Sequence, residues 1–309
     1  MVAPIAIFAF NRPNLLRRTL MALARNPLAS ASPLTIFCDG PRNEQDEPST
    51  QAVRELARTA EGFLSVDVVE RPTNMGCASS VIDGLTQMFS LHERLIVIED
   101  DILTSPHTLR FLNDGLVRYA ESENIFNISA WSPPHVARAV PAGYPYDVYA
   151  IPRFNCWGWA SWRDRFIGID WSVGDYGTFK RSPHLRMLFN AGGEDLSAML
   201  DAQMQGKINS WAIRADYARF KKHMLGINPL HSYTLNIGMG SGIHTTTKTA
   251  YWDSDISLAL EVASFPKVIG VDEAIRKVYH DSYYGEKRSL PQRIFHRLSH
   301  LLRQCTLLA

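Results

Sequence analysis

The stretch Arg94-Leu95-Ile96-Val97-Ile98-Glu99-Asp100-Asp101 passes from a continuous apolar segment straight into three carboxylates. Such an apolar run, rich in β-branched side chains, reads as a strand buried on both faces, the kind found in parallel sheets covered by helices. Three adjacent carboxylates at its end repel one another and lose hydration, so the arrangement asks for a compensating cation. Mg2+ or Mn2+ suits that demand, because these ions accept one or two carboxylates and complete their coordination with water and phosphate oxygens. Alternation along an extended backbone puts Glu99 and Asp101 on one side and Asp100 on the other. The competing reading is a solvated strand end that caps a helix over residues 102–119.

Toward the N-terminus the same grammar repeats. Residues 4–10 are apolar, 12–25 carry Leu15, Leu16, Leu20 and Leu23 at helical spacing, and 34–38 are apolar again. A helix over 49–60, a strand over 64–69 and a helix over 78–89 then lead to the strand at 94–98. This βαβα order predicts an α/β fold with a Rossmann-like, mostly parallel sheet flanked by helices. Ligands of such sheets collect beyond the carboxyl ends of the strands, and each apolar run here exits into polar residues. The exits are Asn11-Arg12-Pro13, Asp39-Gly40-Pro41-Arg42, Glu70-Arg71-Pro72 with Asn74 and Gly76 beyond, and Glu99-Asp100-Asp101. Four polar exits imply one crevice.

Composition bounds the rest. A chain of 309 residues that is 46% hydrophobic can bury a substantial core. With 32 basic against 31 acidic residues, its net charge of +1 offers no field to attract nucleic acid. The N-terminus lacks a basic segment before its short apolar run, and no segment reaches the roughly 18 apolar residues of a spanning helix. The expected location is cytoplasmic. Cys38, Cys77, Cys156 and Cys305 form no CxxC motif, which disfavours a zinc site or a disulfide framework and suggests core thiols.

From residue 124 the pattern changes to shorter strands, aromatics and loops, dividing the chain into 1–123, 124–285 and a tail at 286–309. Trp157, Trp159, Trp162 and Trp211 with Arg153 suggest a wall for sugar rings, since indole faces stack on pyranose faces and Arg binds hydroxyl or phosphate oxygens. Each tryptophan is equally at home in a core. In Gly238-Met239-Gly240-Ser241-Gly242-Ile243-His244, the amides of Gly240, Ser241 and Gly242 suit an anion nest for a diphosphate. The tail from Pro291, with Ile294, Leu298, Leu301 and Leu302 among Arg293, Arg297 and Arg303, reads as a basic amphipathic helix for the inner membrane face or for the protein's own core.

Taken together, Ile5-Ala6-Ile7-Phe8-Ala9-Phe10-Asn11-Arg12-Pro13, Asn74-Met75-Gly76-Cys77, Ile96-Val97-Ile98-Glu99-Asp100-Asp101, Ser129-Ala130-Trp131, and Arg153 with Gly158-Trp159 resemble, in matching order, GT-A glycosyltransferases. The nearest likeness is to the inverting N-acetylglucosaminyltransferase I-like group and its bacterial relatives, over about residues 4–245. The resemblance implies a GT-A fold whose first half, 1–123, binds a nucleotide-sugar and whose second, 124–285, binds acceptor. It makes Asp101 the principal metal ligand, with Glu99 beside it, and brings Asp100 to the ribose. It sets the nucleotide against Phe10, Asn11, Arg12 and Asp39, with Asn74 and Gly76 alongside. Asn11 and Asp39 suit base and ribose hydrogen bonds and Arg12 a phosphate; Asp39-Gly40-Pro41 also reads as a plain turn.

The same family carries its base, the carboxylate that deprotonates the acceptor hydroxyl, after the Gly-Trp loop at the start of a helix. Gly192-Gly193-Glu194-Asp195 fits, with Asp195 the base and Asp201 and Glu194 the alternatives. A C-terminal His on metal or phosphate corresponds to His244. The expected reaction is inverting transfer of a sugar, such as an N-acetylhexosamine, from a nucleoside-diphosphate (UDP) donor to a glycan or lipid-linked saccharide, with Mn2+ or Mg2+ as cofactor. The alternatives are a sugar nucleotidyltransferase, whose glycine-rich loop after the first strand is missing from Phe10-Asn11-Arg12-Pro13, and a non-catalytic carbohydrate-binding protein, which leaves the carboxylates unexplained.

Overall fold

The computed structural model describes residues 2–137, 140–238 and 254–283. The first third follows the predicted order: β1 (Ile5–Ala9), α1 (Pro13–Ala24), β2 (Pro33–Cys38), α2 (Glu47–Arg58), β3 (Ser65–Glu70), α3 (Cys77–Leu91) and β4 (Arg94–Glu99). There follow β5 (Ile102–Thr104), α4 (Thr108–Arg118), β6 (Ile125–Ser129), β7 (Val148–Ile151) and β8 (Trp159–Trp162). Helices α5 (Arg163–Phe166), α6 (Tyr176–Arg181), α7 (Pro183–Phe189), α8 (Leu196–Met204) and α9 (Trp211–Lys221) come next. The described chain ends with β9 (Leu225–Pro229), β10 (Thr234–Asn236) and α10 (Glu273–Ser282).

Eight strands form one sheet in the order β3-β2-β1-β4-β8-β6-β9-β7. Strands β1 to β4 are mutually parallel, as the βα repetition requires. Antiparallel pairing enters with β8, which lies between β4 and β6, and again at β7 against β9. The sheet therefore runs unbroken through the boundary expected near residue 123. Alternate side chains of each strand feed two cores. Ile5, Ile7, Ile36, Ile96 and Ile98 pack with Leu16 and Leu20 of α1, Val53 of α2 and Leu112 of α4. Ala6, Phe8, Phe37, Leu95 and Val97 pack with Val81 and Leu85 of α3 and Trp211 of α9. The fold is thus a mixed α/β structure with helices on both faces of a large central sheet, and at ~25 cal/mol per Å2 its apolar burial is the main term opposing chain entropy.

Two features aim this scaffold. In the β4–β8 pairing Val97 lies opposite Trp159, so the residues just before β8 emerge at the end of the sheet where β4 delivers Glu99. Second, β5 leaves the main sheet and pairs with β10, with Asn236 opposite Ile102. Asp100-Asp101 is consequently the corner between two sheets and not a helix cap, since the residues after it are extended.

Gly158 sits at the joint of these features. Its φ is +80°, and a Cβ there would lie 2.9 Å from Thr234 Cγ2 and 3.4 Å from Ile98 Cδ1. Thr234 Oγ1 donates to the carbonyl of the adjacent Trp157 at 2.7 Å. Only glycine meets both the left-handed conformation and the close approach. Gly158→Ala is expected to lower stability by about 1–3 kcal/mol, read as a lower urea midpoint with an unchanged slope.

Candidate active site

Two strand exits of the parallel half, Arg12 after β1 and Glu99-Asp100-Asp101 after β4, meet at the acidic corner. Asp100 and Asp101 are buried and Glu99 is half-buried. Arg12, the residue before α1, spans the pair. Its Nη2 and Nε reach both oxygens of Asp100 and its Nη1 donates to Asp101 Oδ2 at 2.9 Å. The backbone is anchored as well, because Thr19 Oγ1 donates to the Asp100 carbonyl at 2.9 Å and the Ile237 amide to the Asp101 carbonyl at 2.9 Å.

One guanidinium does not balance three carboxylates. Burial, reinforced by Asp101 and Asp100, pushes the Glu99 carboxyl up to about 8. Burial likewise raises Asp100, to about 7, against the pull of Arg12. Asp101 Oδ1 is buried and accepts no hydrogen bond. An orphaned, dehydrated carboxylate oxygen is costly unless a cation reaches it. Among the described residues no three His, Cys, Asp or Glu side chains gather into a ligand set. A hard ion needs no such set, since one or two carboxylates with water and phosphate oxygens complete its shell. Asp101, with Glu99 or Asp100 beside it, fits that requirement.

Gly238 closes over the same carboxylate, and a Cβ on it would overlap the Asp101 side chain. This places the start of the glycine-rich segment on the expected metal ligand. Gly240, Ser241, Gly242 and His244 themselves lie outside the described residues, as does the tail at 286–309.

On the nucleotide side, several expected contacts are already engaged. Asp39 accepts from the amides of Gly40 and Met75 through Oδ1, and from Asn74 Nδ2 and the Gly76 amide through Oδ2, at 2.8–3.1 Å. A carboxylate has about four acceptor sites, so Asp39 is saturated. It staples the Asn74–Gly76 loop to β2, which corrects its expected role as a base or ribose ligand. Asn74 belongs to the same staple and also donates to the Gly40 carbonyl at 2.9 Å. Gly76 has φ +77° and leads into α3. Asn11 donates to Asp46 Oδ1 at 3.1 Å, and Arg42, ion-paired to Asp46, lies 5.1 Å over the Phe10 ring. The hydrogen bond from Arg42 holds the Asp46 carboxyl down, to about 2. Arg42 belongs to the second polar exit, whereas Asp46 was not read from sequence; its i,i+4 spacing from Arg42 was the available signal.

The tryptophan wall is mostly core. Trp159 is fully buried, stacked 4.9 Å from Phe166, and Trp162 donates its indole N–H to the Leu116 carbonyl. Trp211 is also buried, edge-on to Phe154 and tilted against Trp159, packing α9 onto the sheet. These three are corrections to the sugar-wall reading, and Gly158 is a packing glycine. Trp157 alone is half-exposed, 4.5 Å edge-on to Trp131.

Arg153 and Asp195 come together as expected, but as partners. Two parallel bonds of 2.8 and 2.9 Å join them, and Arg153 is buried with its guanidinium 3.6 Å over the Tyr283 ring. Burial works against the charged Arg153, and Asp195 more than compensates, raising it. Glu194 is exposed and meets His280 at 3.3 Å and Asn190 at 3.3 Å. Asp201 lies six residues further along α8, paired with Arg186 at 2.8 Å and bonded by Tyr176, much as Asp195 is paired with Arg153. Burial raises the Cys156 thiol, with Glu99 adding to it, and burial raises Tyr283 against the pull of Arg153. Cys77, expected in the core, is exposed and senses Glu99 and Asp100. Tyr283 and His280, supplied by α10, were not read from sequence.

No family model matches the sequence. Among solved structures, the mannosyltransferase PcManGT from Pyrobaculum calidifontis, in complex with GDP-Man and Mn2+, is similar at 15% identity over 71% of this chain and 74% of that one, TM-score 0.40. S. aureus TarS is similar at 13% identity over 54% of this chain, TM-score 0.36, and the matched part spans 30% of the TarS chain. A cytidylyltransferase from Leptospira borgpetersenii is similar at 11% identity over 55% of this chain and 64% of its own, TM-score 0.34. The strand order and the side-chain geometry above stand independently of these likenesses. No described helix is long and apolar enough to cross a membrane.

His280 carries a pH dependence with a definite sign. Hydrogen bonds that its ring donates to Asp281 and Glu194, opposed by burial, raise it from 6.5 to about 9. A group raised on folding stabilises fully below its unfolded pKa and loses that contribution as pH rises through the folded value. His280→Gln should therefore cost about 1–2 kcal/mol at pH 6. The difference from wild type should vanish above pH 9 in urea titrations.

Proposed function

We propose that the chain is a metal-dependent glycosyltransferase of GT-A type that moves a sugar from a nucleoside-diphosphate donor to a saccharide hydroxyl with inversion. The observation that carries this reading is the buried acidic corner, where Asp101 Oδ1 has no hydrogen bond and Gly238 begins a glycine-rich segment against the same side chain. A divalent cation bound there supplies charge neutralisation for a departing diphosphate. Phe10 and Asn11, with Arg42 above the Phe10 ring, line the opening beside it for the nucleotide.

Asp195 is the proposed base. Arg153 donates to both Asp195 oxygens, which orients the carboxylate as a general base requires. The hydroxyl oxygen forms its bond to the anomeric carbon while its proton passes to Asp195. The bond from that carbon to the diphosphate oxygen breaks on the opposite face, and the nucleoside diphosphate leaves with the electron pair. Trp157, half-exposed beside Trp131, offers an indole edge to the saccharide.

Nucleotide-sugars screened by thermal shift should stabilise the wild type more strongly with Mn2+ than without it, and Asp101→Ala should remove that metal-dependent gain. Asp195→Asn should keep donor binding and lower transfer by about 10^2–10^4-fold. Absence of any nucleotide binding would sink the reading, pyrophosphate as product would redirect it to nucleotidyl transfer, and full activity of Asp195→Asn beside an inactive Glu194→Gln would move the base to Glu194.

A further inference from the structure

Arg12 occupies the acidic corner in a way that a purely structural bridge does not explain. Its backbone is fixed, because its carbonyl accepts from the amides of Leu15 and Leu16 at the start of α1 and Pro13 follows at once. Its side chain is not enclosed: it is 31% exposed, against 3% and 10% for the carboxylates it spans. Of the four oxygens of Asp100 and Asp101 it serves three, leaving Asp101 Oδ1 buried and unbonded. The bridge is therefore incomplete on the side of the expected metal ligand and open toward solvent.

We propose that Arg12 is an exchangeable internal counter-ion, which holds Asp100 and Asp101 in the donor-free protein and gives up Asp101 to a divalent cation as its guanidinium turns to the incoming diphosphate. The inference rests on the metal-dependent reading above and adds how the site is regulated. A planar, permanently charged fork binds carboxylate and phosphate oxygens with the same geometry, so the turn trades one charge-assisted pair for another. It requires rotation of one side chain and no change in the helix. Without a diphosphate, Arg12 and the cation compete for Asp101. With one, the competition is relieved, so each ligand favours the other by the same factor. An enzyme so built holds little metal until donor arrives.

The test uses the full chain and compares wild type, Arg12→Gln and Arg12→Lys in binding Mn2+, followed by the paramagnetic resonance of the free ion, and in binding UDP by calorimetry. Without nucleotide, Arg12→Gln should bind Mn2+ on the order of tenfold more tightly than wild type, with Arg12→Lys between them because an ammonium cannot fork across both carboxylates. UDP without metal should bind Arg12→Gln more weakly than wild type. Arg12→Gln should melt below wild type in chelator and recover with Mn2+. Unchanged or weaker Mn2+ binding by Arg12→Gln, or failure of Mn2+ to restore its fold, overturns the exchange while leaving the metal site intact if wild type binds Mn2+ with UDP. If wild type binds neither Mn2+ nor Mn2+ with UDP, the metal-dependent reading fails and takes the exchange with it.

Discussion

Three carboxylates are held where the chain turns from one sheet into another, and most of the site geometry answers to that fact. β4 ends at Glu99 and β5 begins at Ile102, so Asp100 and Asp101 form a corner fixed from both sides by strand pairing. A corner cannot slide in register as a strand end can. Its carboxylates are therefore preorganised in a partly dehydrated setting, and charge of the opposite sign is the simplest way to offset the cost. Arg12 supplies part of that charge and the unbonded Asp101 oxygen marks the remainder.

The neighbouring elements read as supports for this corner. Thr19 and Ile237 hold its backbone, and Gly238 approaches the Asp101 carboxylate more closely than a side chain would allow. Asp39 performs a similar service at the end of β2, giving all four acceptor positions to Gly40 and the Asn74–Gly76 loop. Residues that look like ligands in sequence thus divide into two kinds: those whose polar atoms are consumed by the scaffold, and those, Asp101 foremost, that keep one in reserve.

The parallel half and the acidic exit were legible because they depend on local pattern. Apolar runs of strand length, helical leucine spacing and polar exits all lie within short windows, and β1 to β4 fall where those windows put them. What depends on distant pairing was not legible. Nothing in Trp159-Ala160-Ser161-Trp162 announces that it inserts between β4 and β6, yet that insertion turns Trp159 into core and carries Trp157 and Gly158 to the acidic exit. Residues Asp195 and Arg153 were each named from sequence, but their bidentate pairing spans 42 residues and has no local signature. Tyr283 and His280 reach the Gly192–Asp195 segment from α10, which offered only an amphipathic pattern.

The antiparallel insertion also explains how one sheet brings residues of both halves of the chain to the same end. A wholly parallel sheet gathers every strand exit at one end but gives no return path for a second half of the chain to reach that end from within the sheet. By pairing antiparallel with β4, β8 begins where β4 finishes, so its incoming segment arrives at the acidic corner. The same segment starts at Arg153, packed against Gly226 at the opposite end of its course. Residues 153–158 therefore form a wall running from the Arg153–Asp195 pair to the end of β4 that delivers Glu99. A donor held at the corner and an acceptor held along that wall would meet without either half of the chain having to move.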